Sequence, residues 1–243
     1  MKALVIVPAF NEGVKLRTTA ERIRSFFGQG SPLAELQALI LDDCSTEPDT
    51  RQIAEEYGFQ YLRNPQRMGV GYSLRRAYEH GLEEGFDILV TMAGNNKDNP
   101  AQIDRLLEPI VSGNADFVQG SRYLPGGNWG NMPFYRQVTT RIIHPVLFSL
   151  AAGKRITDST NGFRAFRASL LKDTRINLRQ SWLNQYELEP YLFCKAIHYG
   201  WKVTEVPVSK IYPDKKLGYS KMKPITGWWS ILKPVLYLLL RLK

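Results

Sequence analysis

Residues 91–100 read TMAGNNKDNP. They follow the apolar run Ile88–Val90 and precede a stretch with helical patterning, which makes them a polar loop at the end of a strand. Loops in that position carry ligand chemistry in open α/β sheets. Its charged groups are Lys97 and Asp98, so the loop carries a lysine where one would expect a pair of carboxylates. Polar groups recur after other apolar runs: Asn11 and Glu12, Asp42 and Asp43, and Arg122. The formal net charge of +9 favours anionic partners: phosphorylated ligands, anionic lipid or nucleic acid. The basic residues fall in no recognised nucleic-acid motif, so nucleic acid is not the expected partner.

The elements that must hold these groups alternate. Strands are expected at 2–8, 36–41, 59–63, 86–92 and 117–122, with helices at 14–27, 50–57, 69–85 and 100–113. That order implies a parallel sheet covered by helices on both faces, with ligands bound outside the carboxyl ends of its strands. After residue 124 a Gly/Pro/Asn loop, PGGNWGNMP, precedes an apolar helix from Arg136 to Leu150. A helix over 185–199 and a strand over 201–208 follow. At 44% hydrophobic residues the chain can bury a core. With two cysteines and three scattered histidines, neither a disulfide scaffold nor a zinc site is expected, and a reducing cytoplasm fits. MKALVIVPAF is broken too early by Pro8 and Asn11 for a signal peptide. No apolar run reaches the roughly 18 residues of a spanning helix.

Taken in order, VIVPAFNE, LDDCST, NPQRMGVGYSLRRAYEHG, TMAGNNKDNP, GSRYLPGG, DSTNGFRAFR, QYELEP, EVPV and KKLGYSK resemble glycosyltransferase family 2 over roughly residues 3–223. Within it they are most similar to the dolichol- or polyprenyl-phosphate mannosyl- and glucosyltransferases. The resemblance implies a GT-A fold, a Rossmann-like mixed and mainly parallel sheet flanked by helices. It divides the chain into a nucleotide-sugar-binding half (1–124), an acceptor-binding half of the same domain (125–224) and a membrane-associating tail (225–243). It implies an inverting transfer from a UDP- or GDP-sugar. Pro8, Ala9, Asn11 and Glu12 then line the nucleoside pocket, Asp43 reads the base edge, and Arg67 and Gly69 lie beside the nucleotide. Arg122 and Arg136 face phosphates, whose oxygens a guanidinium fits in a fork. Lys216, Ser220 and Lys221 form a basic loop that folds over the pyrophosphate.

The family carries Asp-x-Asp at 93–95, which holds Mg2+ or Mn2+ against the donor pyrophosphate. This chain has Ala93-Gly94-Asn95. One reading is a metal-free enzyme in which Lys97 serves as the cation for the leaving diphosphate. A second keeps a shifted metal on Asn95 and Asp98. A third is an inactive nucleotide-sugar-binding module. A lipid-phosphate acceptor is already an anion and needs no strong base, whereas a soluble hydroxyl acceptor needs a carboxylate. Asp158 is the first candidate base, with Glu187 and Asp98 behind it. Asp158 equally suits a loop or helix cap, and Glu187 a paired or solvated charge.

The segment 228–242, WWSILKPVLYLLLRL, is too short to span a bilayer and suits an interfacial helix, with the helix near 138–152 as a second contact. The expected location is the cytoplasmic face of the membrane, as a peripheral protein. The competing reading docks the tail on the core or in a homo-oligomer interface.

Overall fold

The run Ala3–Val7 is buried on both faces, every residue at or below 1% exposure, because it is the middle of a sheet. It lies in β1 (Lys2–Ala9), which pairs in parallel with β2 (Glu35–Asp42) on one side and β4 (Ile88–Thr91) on the other. Side chains alternate across a strand, and here the two sets enter different cores. Leu4 and Ile6 pack with Leu74, Tyr78, Phe148, Phe193 and Val235. Ala3, Val5 and Val7 pack with Leu16, Ile23, Ile53, Ile103 and Leu106. The result is three layers. Helices α1 (Val14–Gln29), α2 (Asp49–Glu56) and α4 (Ile103–Val111) cover one face. Helices α3 (Val70–Glu83), α6 (His144–Ala152), α7 (Leu188–His198) and α8 (Thr226–Leu239) cover the other. This is a computed structural model, and it describes residues 1–47, 49–132, 134–212 and 226–240.

The sheet has seven strands in the order β3-β2-β1-β4-β6-β5-β7, with β3 at Gln60–Arg63, β5 at Phe117–Ser121, β6 at Arg164–Arg167 and β7 at Val203–Pro207. β6 runs antiparallel between β4 and β5, and every other pairing is parallel. The carboxyl ends of β1, β2, β4 and β5 therefore share one edge with the start of β6, and the sheet continues across residue 124. β6 was not expected: Arg164 and Arg167 bracket only two apolar residues and hide the pattern of a buried strand.

The helix expected over 136–150 begins as α5 (Phe134–Val138), widens into a π turn at Thr139–Ile143 and resumes as α6. Pro145 explains the widening. It has no N–H to offer the fourth carbonyl back, and its ring would press on that carbonyl. Single π turns are frequent at functional sites, and this one begins three residues after Arg136 and includes Thr140, both of which line the cleft described next.

Candidate active site

A cleft of about 520 Å³ opens at that carboxyl edge. Pro8, Ala9, Glu12, Asp43, Arg67, Gly69, Asn95, Lys97, Arg122 and Arg136 all line it. Residues far apart in sequence are thus brought together as the motif order implied. Asn11, Asp98 and Asp158 do not line it. Lys216, Ser220 and Lys221 lie outside the described residues.

Where the loops after β1 and β2 line the cleft, the paired aspartates divide. Asp42 turns toward β3 and accepts from Tyr61 Oη (2.8 Å), Arg63 Nη1 (2.9 Å) and the Ser45 amide (2.8 Å). Asp43 faces the cleft and organises the following loop. Its Oδ1 accepts from Asn64 Nδ2 and the Met68 amide, both at 2.8 Å, and its Oδ2 from the Gly69 amide at 2.9 Å. Gly69 has φ +97°, and a Cβ there would run into the Asn184 carbonyl, so glycine is required on both counts. Arg67 stacks on Phe10, 4.2 Å from the ring centre. Asn11, at φ +50°, ties the loop after β1 to the loop after β2 by accepting from the Thr46 amide at 2.8 Å. It braces the pocket wall from outside the cleft.

At the other end Arg122 and Asp158 form a buried pair, 2% and 0% exposed. Arg122 donates from Nε to Oδ2 (2.6 Å), from Nη2 to Oδ1 (2.8 Å) and from its amide to Oδ2 (3.1 Å). A further bond runs from Nη2 to Thr160 Oγ1 at 2.7 Å. Burial works against the Arg122 charge, and the neighbouring carboxylate outweighs it and holds its pKa above the ordinary value. Asp158 thus has both oxygens engaged away from the cleft and is poorly placed to take a substrate proton. It fixes the Arg122 fork. Glu205, which sequence reasoning passed over in EVPV, holds Asp158 in turn by accepting its amide at 3.0 Å and that of Thr157 at 2.8 Å. Glu187 also turns away, with Lys233 of α8 at 3.8 Å. Arg136 is 9% exposed, and among the described residues its Nε has no hydrogen-bond partner.

The 93–99 loop is pinned from two sides. From α1, Arg22 donates to Asn96 Oδ1 (2.7 Å) and Asn99 Oδ1 (3.1 Å). From beyond β7, Ile211 donates its amide to the Lys97 carbonyl (2.9 Å) and Lys210 Nζ reaches Asp98 Oδ1 (2.6 Å). Asp98 Oδ2 accepts the Ala93 amide at 3.0 Å. Each oxygen of Asp98 therefore already accepts one hydrogen bond, and the side chain does not line the cleft. Lys97 is 8% exposed, with Nζ 4.5 Å from the Tyr212 ring centre. Burial above all, with Lys210, Arg136 and Lys15 adding to it and Glu12 opposing, pushes its pKa down to about 7. Divalent Mg2+ or Mn2+ wants hard oxygen ligands, typically including carboxylates. The 93–95 stretch itself offers one amide oxygen, Asn95 Oδ1, beside an ammonium, and the carboxylate that acts on that ammonium, Glu12, comes from another loop; a single amide and a cation do not fit such an ion. Among the described residues no group of three or more His, Cys, Asp or Glu side chains could hold a metal. Lys210 and Tyr212 were missed because KIYP follows a strand with no motif to mark it.

The Glycosyl transferase family 2 pattern matches residues 4–175. The chain belongs to glycosyltransferase family 2. This glycosyltransferase is 31% identical over 229 residues to the undecaprenyl-phosphate mannosyltransferase of Micrococcus luteus, covering 91% of this chain and 88% of that protein. It is 30% identical over 227 residues to the polyprenol monophosphomannose synthase of Mycolicibacterium smegmatis, covering 91% and 81%. Among solved structures it resembles glucosyl-3-phosphoglycerate synthase from Mycobacterium tuberculosis, in complex with Mn2+, UDP and glucosyl-3-phosphoglycerate. The TM-score is 0.71 at 18% identity, covering 99% of this chain and 79% of that one. At that identity the likeness speaks for the fold, and the fold of this family 2 glycosyltransferase is GT-A.

Proposed function

We propose that this glycosyltransferase moves a sugar, with inversion, from a UDP- or GDP-sugar to a polyprenyl or dolichyl phosphate at a membrane surface. The observation that carries the choice of acceptor is the Arg122–Asp158 pair. The first candidate base is locked to the Arg122 guanidinium, while Arg136 and Lys97 bring cations to the cleft wall. An acceptor that is already an anion fits such a site and needs no base. A phosphate oxygen of the acceptor attacks the anomeric carbon on the face opposite the diphosphate. The bond from that carbon to the diphosphate oxygen breaks, and its electron pair leaves with the nucleoside diphosphate. The lipid phosphate becomes a phosphodiester and no proton moves. The polyprenyl-phosphate relatives support the same acceptor.

An exposed apolar stripe supports peripheral docking on the membrane. Ile142, Val146 and Leu150 recur at helical spacing, joined by Ile143. α8 packs beside α6 and exposes Trp229 and Leu239, with Leu240 exposed just past its end. Among the described residues no helix is long and apolar enough to cross a membrane. Transfer is tested with a panel of UDP- and GDP-sugars and either undecaprenyl phosphate or glycerol as acceptor. Product on the lipid phosphate alone is expected; product on glycerol alone would move the reading to a hydroxyl acceptor. Flotation with phosphatidylglycerol vesicles should recover the wild type and lose Val146→Asp/Leu150→Asp. Equal recovery of both would remove this stripe from the membrane contact.

A further inference from the structure

We propose that the Lys97 ammonium, with Arg136 beside it, stands where a divalent cation would sit on the donor diphosphate, so that transfer proceeds without metal. The inference rests on the nucleotide-sugar reading above. Its starting point is the misfit between the donor set at 93–95 and a hard dication. The one carboxylate of the 93–99 loop, Asp98, is neutralised by Lys210 at 2.6 Å and turned from the cleft. What faces the cleft there is Lys97, with Asn95 as a neutral amide that does not repel phosphate. The position of Lys97 is prepared in advance. Ile211 holds its carbonyl, Tyr212 faces its ammonium, and Lys210 is stitched to the next residue. A cation held in a site that excludes water acts more strongly on developing charge than one in solvent. Lys97 would therefore stabilise the oxygen that takes the electron pair as the sugar–diphosphate bond breaks.

The test measures diphosphate binding as well as turnover. UDP and GDP are titrated calorimetrically into wild type, Lys97→Met and Lys97→Arg, in EDTA and then with added Mn2+ or Mg2+. For the nucleotide that binds, wild-type affinity is expected to stay within about twofold whether chelator or metal is present. Lys97→Met should weaken it about ten- to a hundredfold, the loss of one charge-assisted contact. Lys97→Arg should restore most of that loss, and matching thermal unfolding of the variants shows that the fold is intact. A tenfold or greater loss of wild-type affinity in EDTA, regained with Mn2+, overturns the proposal in favour of a metal. Unchanged affinity in Lys97→Met overturns it as well. Metal-independent, Lys97-dependent binding without transfer to any acceptor would leave this inference standing and sink the acceptor reading. No binding of either nucleotide would sink both.

Discussion

Asp158→Ala is expected to lower folding stability by about 3–5 kcal/mol and to abolish transfer, because it strands Arg122 as a buried charge without its partner. Domains of this kind are stable by only about 5–15 kcal/mol, so denaturant midpoints should move far. Three hydrogen bonds from Arg122 end on this one carboxylate, and both residues are nearly inaccessible. The double variant Arg122→Met/Asp158→Leu removes both charges together. It should recover much of the stability while transfer stays lost, a coupling that a double-mutant cycle reads directly. A general base would behave differently. Asp158→Asn would then keep wild-type stability, lose turnover, and lose the acidic limb of its pH profile. With Asp158 as a brace, Asp158→Asn loses stability and activity together.

The Asp158 case also shows where sequence reasoning stops. DSTNGFR marks a carboxylate at the head of a polar loop but not its partner, Arg122, 36 residues earlier. Asp98 is the same problem at longer range, because the lysine that occupies it lies 112 residues on. Residue type and spacing assign a group to a neighbourhood; whether its lone pairs are already in use is a tertiary fact. The framework was more legible. Buried parallel strands must be apolar on both faces, so KALVIVP, LQALIL and FDILV announce themselves, and the sheet order then places Asn11, Asp43, Lys97 and Arg122 on one edge. β6 escaped because Arg164 is a buried strand residue whose guanidinium donates to the Asn161 and Glu189 carbonyls and lies 3.4 Å from the Glu189 carboxylate, which no pattern of hydrophobicity reports.

Activity is expected to fall as pH rises through about 7, and Lys97 is the reason. Burial above all lowers its pKa from 10.5 to about 7, and the groups facing it are Lys210, Arg136 and Lys15, which add to the lowering, and Glu12, which opposes it. Below that pH the ammonium is present in the free enzyme; above it the proton is lost and with it the cation. kcat/KM reports the free enzyme, so it should decline about tenfold per pH unit on the alkaline side. In kcat the limb should move to higher pH, because a bound diphosphate favours the charged form. Lys97→Arg should remain flat to pH 9, since a guanidinium keeps its proton. A limb that persists in Lys97→Arg would assign the titration to another group. Stability carries the opposite sign. The folded-state pKa lies below the unfolded one, so the unfolded chain binds more protons between them. Lys97 therefore makes unfolding harder as pH climbs above 7. Denaturation of the free protein at pH 7 and pH 9 should show this gain in wild type and its absence in Lys97→Met. The pH at which the lysine is charged and useful is then the pH at which burying it costs the fold most, a conflict that a bound diphosphate relieves by supplying the counter-charge.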